Sequence, residues 1–477
     1  MSQYPHPNDG QGGGVLNRQK IQHAAQKLWT AWKADILLGK VLRNTGYLFS
    51  ANTISTAISS FQGFLSAALL GPAGFGTLGM IVMYASSINR LLSFRMGDVV
   101  VRYAGQYIAT EKKPEAAAVI KTAMLVEMSV SLVAYLLLVL SAPLAAEWII
   151  KDTSTTQLII LYGAALLGNA VNETSTAVLQ ISSRFRVLAG LNLAQSLLAV
   201  VWVVAIYFTG GGVRDVLLAY LAGKLVFGLG TTIAALRVIP TILGAQWLKA
   251  PFALLRGQRL NLARFAVSTN LGVTLNLVLR DSEVLWVGYF LTNLEAGYYK
   301  FALAVMSLVS IPVTPLVSTT FPEINRMIAL KEWQRLRRLL RRTSLLAAVW
   351  TLICLAGILL VGPWLLPIFK NGGYLPAFST ILILMAGYGM ANTFFWNRPL
   401  LLAFGEPNFP LKTSLAIGIG KIGLMFLLVR SLGFNAQAAL LAGYFILTVG
   451  WNIFYGLQRI QRETRKTRES KLEQHLQ

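Results

Sequence analysis

Residues 74–107 read GFGTLGMIVMYASSINRLLSFRMGDVVVRYAGQY. The stretch is apolar enough to enter a bilayer, yet it carries Arg90, Arg95, Asp98 and Arg102. A cation at the bilayer centre costs at least ~2.5–3.5 kcal/mol on insertion scales unless it faces protein or water. A helix of this sequence therefore needs a polar interior to face, and other spanning segments must wall that interior. At 100° per residue, an unbroken helix puts Arg95, Asp98 and Arg102 within about 60° of one another and Arg90 about 80° from Asp98. Arg90 then falls near mid-depth, while Arg102 reaches the interface and snorkels. Arg90 and Arg95 are the costlier pair and so the better binding candidates. A purely structural role, with Asp98 neutralising an arginine between helices, explains the same residues.

Working outward, apolar segments recur near 45–69, 77–107, 118–142, 156–182, 187–209, 214–237, 263–291, 296–326, 340–367, 375–403, 410–430 and 435–458. Each is about the length that crosses the hydrocarbon core. The expected fold is all-α and polytopic, with about twelve transmembrane helices in two six-helix lobes. Period-2 alternation is absent, which rules out a transmembrane β-barrel. Even-numbered connections hold clusters such as Lys112 and Lys113, Arg184 and Arg186, and the run from Arg335 to Arg342, whereas odd ones hold isolated cations such as Lys151 and Lys370. The positive-inside rule puts both termini in the cytoplasm.

The flanks and linker complete the organisation. Residues 1–18 are polar, Gly-rich and expected to be disordered. Residues 19–40 place Ile21, Leu28, Trp29, Trp32 and Ile36 on one helical face among lysines, the pattern of an amphipathic helix lying on the membrane. Residues 41–237 form the expected first lobe, 238–262 a linker with Pro240 and Pro251, 263–459 the second lobe, and 460–477 a basic tail.

The 477-residue chain is 55% hydrophobic and 13% charged, against about 25% charged in soluble domains. Its formal net charge of +23 would suggest nucleic acid in a soluble protein, but here the cations gather in loops beside anionic headgroups. The single cysteine, Cys354, excludes an intramolecular disulfide, and His6, His23 and His475 all lie in the tails, so histidine catalysis or metal ligation within the membrane is excluded.

The halves repeat. Ala73-Gly74-Phe75 matches Ala296-Gly297-Tyr298, and each is followed by a long helix ending in a basic turn, TEKKPEAAAVIKT at 110–122 and LKEWQRLRRLLRRT at 330–343. Parallel repeats of this kind bind substrate between the halves and rock about it.

A second charged constellation lies in the seventh span, NLVLRDSEVLWVGYFL at 276–291. Arg280 and Glu283 are spaced to pair on one helical face, leaving Asp281 for a cation, a proton or a second arginine. Asn276 adds a hydrogen-bonding group beside them. Lesser candidates are Glu127, Glu173 with Asn169 and Asn172, Lys224, Arg398 with Asn397, and Lys421. Pro312, Pro315 and Pro322 should bend the eighth span. Inward arginines favour an anion, and guanidinium binds phosphate oxygens through a two-pronged fork. The candidate cavity residues are Arg90, Arg95, Arg280 and Asn276, and those for ion coupling are Asp98, Asp281, Glu283 and Glu127. A phosphate-binding loop of the ATPase type is absent, so no ATP hydrolysis is expected, and no cofactor beyond H⁺ or Na⁺.

On LLGPAGFGTLGMI, the phrase from Arg280 to Met327, and the basic run after it, the sequence resembles Wzx-type polysaccharide transporters, of the superfamily that includes MurJ lipid II flippases and MATE exporters. Asp281, Gly297-Tyr298 and Pro322-Glu323 carry the family-like positions. The resemblance implies a two-lobed bundle in a bacterial or archaeal plasma membrane. It would move a polyprenyl-diphosphate-linked oligosaccharide (an O-antigen, exopolysaccharide or capsule unit) to the outer leaflet. It implies that Arg90, Arg95 and Arg280 meet the diphosphate, and it makes membrane lipids, a polysaccharide polymerase and glycosyltransferases the expected partners, with no nucleic acid. Twelve spans argue against the MurJ branch, whose members usually carry two more. The alternatives are a MATE-like exporter of drugs or metabolites coupled to H⁺ or Na⁺, and a membrane glycan polymerase or ligase, for which the outer loops are short. No enzymatic activity is expected.

Overall fold

The computed structural model describes residues 36–258, 260, 262, 264, 270, 273–370 and 372–476. The expected tail at 1–18 and residues 19–35 of the expected surface helix lie outside the described residues. Among the described residues every regular element is helical. The first half comprises α1 (Ile36–Leu92), α2 (Met96–Val99), α3 (Gly105–Ala109), α4 (Lys113–Ala145), α5 (Thr156–Gly168), α6 (Asn172–Ile181), α7 (Phe185–Thr209) and α8 (Val213–Leu243). The second comprises α9 (Glu283–Phe290), α10 (Asn293–Ser310), α11 (Val313–Ala329), α12 (Trp333–Leu365), α13 (Ala377–Thr393), α14 (Asn397–Ala403), α15 (Asn408–Leu432) and α16 (Phe434–Leu476).

Nine described helical stretches are long and apolar enough to cross a membrane, ten when α10 and α11, bent by 46°, count as one span. The difference from twelve has two sources. A straight helix of 57 residues would be about 85 Å long, nearly three bilayer cores, so α1 must hold two spans. It breaks at Gly71, whose φ of 69° lies in the left-handed region that glycine tolerates, with Pro72 starting the next turn. The seventh expected span is described in full only from residue 273 onward.

The second span is not the continuous helix expected over 77–107. It stops at Leu92, turns through residues 93–95 with Arg95 itself left-handed (φ 53°, ψ 45°), and resumes as α2, a π-helical turn at Val100–Ala104 and α3. Arg90 therefore shares no helical face with Arg95, Asp98 or Arg102. The eighth span breaks as well, about one helical turn earlier in the repeat, where Ile311 and Pro312 separate α10 from α11.

The cores show how the halves meet. One apolar cluster contains residues of both, among them Phe75, Leu78 and Ile81 with Val287, Tyr299 and Phe301. Two others each belong to one half: Val99, Ile120, Val178 and Trp247 in the first, and Ile324, Trp333, Leu336 and Ile460 in the second. Both one-half clusters lie beside the basic turns. The halves are thus fused at one end and parted at the basic end, which leaves a cleft open toward that end.

At the fused end α10 crosses α1 with almost no gap. A Cβ on Gly76 would lie 2.0 Å from the Asn293 carbonyl oxygen, and one on Gly297 would lie 1.8 Å from that of Pro72. Lys300 donates to the Phe75 carbonyl at 3.3 Å and sits 4.0 Å over its ring, and the Tyr374 hydroxyl donates to the Ala67 carbonyl at 3.0 Å. The repeated Ala-Gly-aromatic motif is this seam. Gly297→Val is expected to force it apart and depopulate the state open at the basic end. In a Cys354→Ser background, a cysteine at Asn89 should then react several-fold more slowly with an impermeant thiol reagent added at that end; an unchanged rate would count against the seam.

Candidate functional site

Residues 277–281 form a π-helical turn that ends at Ser282, where α9 begins. The turn decides which charges meet. Asp281 faces the cleft and accepts from both predicted arginines: Arg90 Nη1 lies 3.1 Å from Oδ2, and Arg280 Nε lies 3.0 Å from Oδ1. Arg90 comes from the first half and Arg280 from the second, so one carboxylate bridges the cleft. All three side chains keep 31–48% of their surface exposed, so the bridge is wet and accessible.

The expected Arg280–Glu283 pair does not form. The break at Ser282 turns Glu283 into the protein, where it is 1% exposed. There it pairs with Lys421 and accepts from Gln437 Nε2 at 2.6 Å and the Tyr299 hydroxyl at 3.1 Å, while Lys421 also donates to the Leu279 carbonyl at 2.9 Å. Buried charges persist when paired and fully hydrogen-bonded. This network holds α9, α10, α15 and α16 together.

The other acidic candidates are also engaged. Asp98 Oδ2 accepts from Arg95 Nε at 3.0 Å. Glu127 accepts from the backbone N–H of Glu173 at 2.7 Å and of Thr174 at 3.0 Å, so it caps the free amides at the start of α6 from a neighbouring helix. Glu127→Gln keeps one acceptor oxygen and loses the charge; about 0.5–2 kcal/mol of stability, the usual worth of a cap, is expected to go in a thermal melt. The Ser93 hydroxyl donates to Glu173 at 2.8 Å, and a Cβ on Gly97 would sit 2.9 Å from the Glu173 carbonyl oxygen, so the turn at 93–95 is tied to α6.

Two cavities flank the bridge. The first-half cavity, about 340 Å³, is lined by Arg90, Lys224, Glu127 and Glu173 and by the amides Asn89, Asn169, Asn192 and Gln195. The second-half cavity, about 210 Å³, is lined by Arg280, Arg398, Asn276, Asn397 and Asn452. Arg95 lines neither of them, while Arg90, Arg280 and Asn276 do. Sequence reasoning missed Asn89, Asn192, Gln195 and Asn452, although amides within apolar spans were the signal available. It also missed Lys300. Among the described residues no cluster of acidic, cysteine and histidine side chains could hold a metal ion.

Residues 65–377 match the family described as polysaccharide biosynthesis protein. The inner membrane protein YghQ of Escherichia coli (strain K12) is 21% identical over 363 residues, covering 73% of this chain and 98% of that protein. Among solved structures, the inward-facing conformation of a multidrug resistance MATE family transporter of the MOP superfamily superposes with a TM-score of 0.64 at 15% identity, covering 86% of this chain and 96% of that one. A MOP superfamily transporter from Pyrococcus furiosus, described by the reverse polarity of its binding pocket, gives 0.58 at 14% identity over 89% of this chain and 96% of its own. These likenesses establish the fold.

Proposed function

From the premise that the chain belongs to the polysaccharide biosynthesis protein family and has the fold of MOP superfamily transporters, we propose that it is a flippase for an oligosaccharide linked to a polyprenyl diphosphate. It is a multi-pass membrane transporter. The substrate enters the cleft from the basic, cytoplasmic side and leaves at the outer leaflet when the seam opens and the basic ends close. The observation that carries this reading is the bridge Arg90–Asp281–Arg280. In the cleft a carboxylate occupies the point between two arginines from opposite halves, where a diphosphate would satisfy both. Guanidinium forks suit phosphate oxygens, and an anion that holds both halves favours the rocking motion over a one-sided attachment.

The same observation weighs against a cation-coupled exporter. Asp98, Asp281 and Glu283 each face a basic partner, and Glu127 caps a helix. Na⁺ or H⁺ would have to displace those partners first.

Depletion tests the reading in cells. Polyprenyl-diphosphate oligosaccharide is expected to accumulate on the cytoplasmic leaflet, inaccessible to a glycan-labelling reagent added outside spheroplasts. Undiminished external labelling after depletion would argue for another activity.

A further inference from the structure

We propose that the substrate lies across the cleft in one orientation, with its diphosphate reaching from Arg90 and Arg280 at the bridge into the second-half cavity toward Arg398 and its sugars in the first-half cavity. This rests on the flippase reading and adds to it which lobe recognises which end.

The repeat supplies the main observation. The fourth and tenth spans are broken at matching places, and each resumes on an asparagine: α6 begins Asn172-Glu173 and α14 begins Asn397-Arg398. The last helix of each half secures that asparagine in the same way. The Thr231 hydroxyl of α8 donates to Asn172 Oδ1 at 2.8 Å, and Asn452 Nδ2 of α16 donates to Asn397 Oδ1 at 3.1 Å. One backbone feature therefore presents a carboxylate in the first half and a guanidinium in the second.

The surroundings agree with that inversion. Arg90 and Lys224 in the first-half cavity are balanced by Glu127 and Glu173. Arg280 and Arg398 share the second-half cavity with no carboxylate among its lining residues, and Arg398 has no ionic or hydrogen-bonded partner among the described residues. Asn452 is 4% exposed and its Oδ1 has no donor, so that pocket retains an unsatisfied polar atom. A dianion is repelled where two carboxylates stand and attracted where Arg398 is unpaired among the described residues and Arg280 shares the single carboxylate of Asp281 with Arg90. Sugar hydroxyls both donate and accept, which suits the amides and carboxylates of the larger first-half cavity. The two cavities adjoin at Asp281, through Arg90 on one side and Arg280 on the other.

Calorimetric titration of the purified full-length protein with inorganic pyrophosphate tests the orientation. Arg398→Gln is expected to weaken binding about tenfold or more, Arg398→Lys to retain part of it, and Glu173→Gln and Lys224→Gln to leave it within about twofold. Full binding by Arg398→Gln, or its loss in Lys224→Gln, overturns the orientation and leaves the flippase reading standing. No pyrophosphate binding by the wild-type protein overturns both.

Discussion

Arg280→Ala is expected to lower translocation about tenfold or more while leaving the protein in the membrane at its normal level. A hydrogen bond to a charged group is worth about 1.5–3 kcal/mol, and 1.4 kcal/mol is a factor of ten. The loss should appear in transport and not in abundance, because Arg280 is exposed in the cleft and its carboxylate partner among the described residues is Asp281. Arg90→Ala should behave alike, since it removes the other side of the same bridge. Arg280→Lys should keep part of the activity, as a point charge without the fork. Transport rates in vesicles, normalised to reconstituted protein, decide the matter. Wild-type rates from both alanine variants would remove the arginines from the mechanism.

Lys421→Met is expected to act in the opposite manner, on the fold rather than on the cleft. Glu283 is 1% exposed and Lys421 is its only cationic partner among the described residues. Methionine fills similar space but leaves a buried carboxylate without its counter-charge, which costs about 3–5 kcal/mol. Much of the variant should be lost as aggregate on extraction, and the remainder should melt well below wild type. The double variant Lys421→Met with Glu283→Gln removes both charges. Its amide oxygen can still accept from Tyr299 and Gln437, so most of the stability should return. Because Glu283 and Lys421 lie in a sealed network and not in the bridge, the double variant should transport with unchanged Na⁺ and pH dependence. Restored folding with altered ion dependence would return Glu283 to the list of coupling groups.

These two cases mark what the sequence could and could not disclose. Composition and the recurrence of apolar segments were sufficient for the helical membrane fold, because crossing hydrocarbon leaves a chain few alternatives. The repeat of Ala73-Gly74-Phe75 in Ala296-Gly297-Tyr298 was visible, and it proved to be the seam. Arg90, Arg280 and Asp281 were legible as costly intramembrane charges. Their mutual contact was not, since Arg90 and Asp281 are 191 residues apart in the chain. The angular reading of the second span failed because a helical wheel assumes an unbroken helix. The left-handed Arg95 arises from tertiary contacts, with Ser93 bonded to Glu173 and Gly97 against its carbonyl. The Arg280–Glu283 pair failed for a similar reason, since the π-helical turn and Ser282 shift the register between them. Local periodicity cannot foresee a break that distant residues impose.

The most direct test of the central claim is translocation by the purified protein in vesicles. A fluorescent oligosaccharide is attached to a polyprenyl diphosphate in one set and to a neutral polyprenyl ether in another, and its arrival at the outer leaflet is followed by quenching with an impermeant reductant. The account predicts that the diphosphate-linked glycan moves well above the rate in protein-free vesicles and that the neutral one does not. Equal rates for the two lipids, or no protein-dependent movement of the diphosphate, would contradict it.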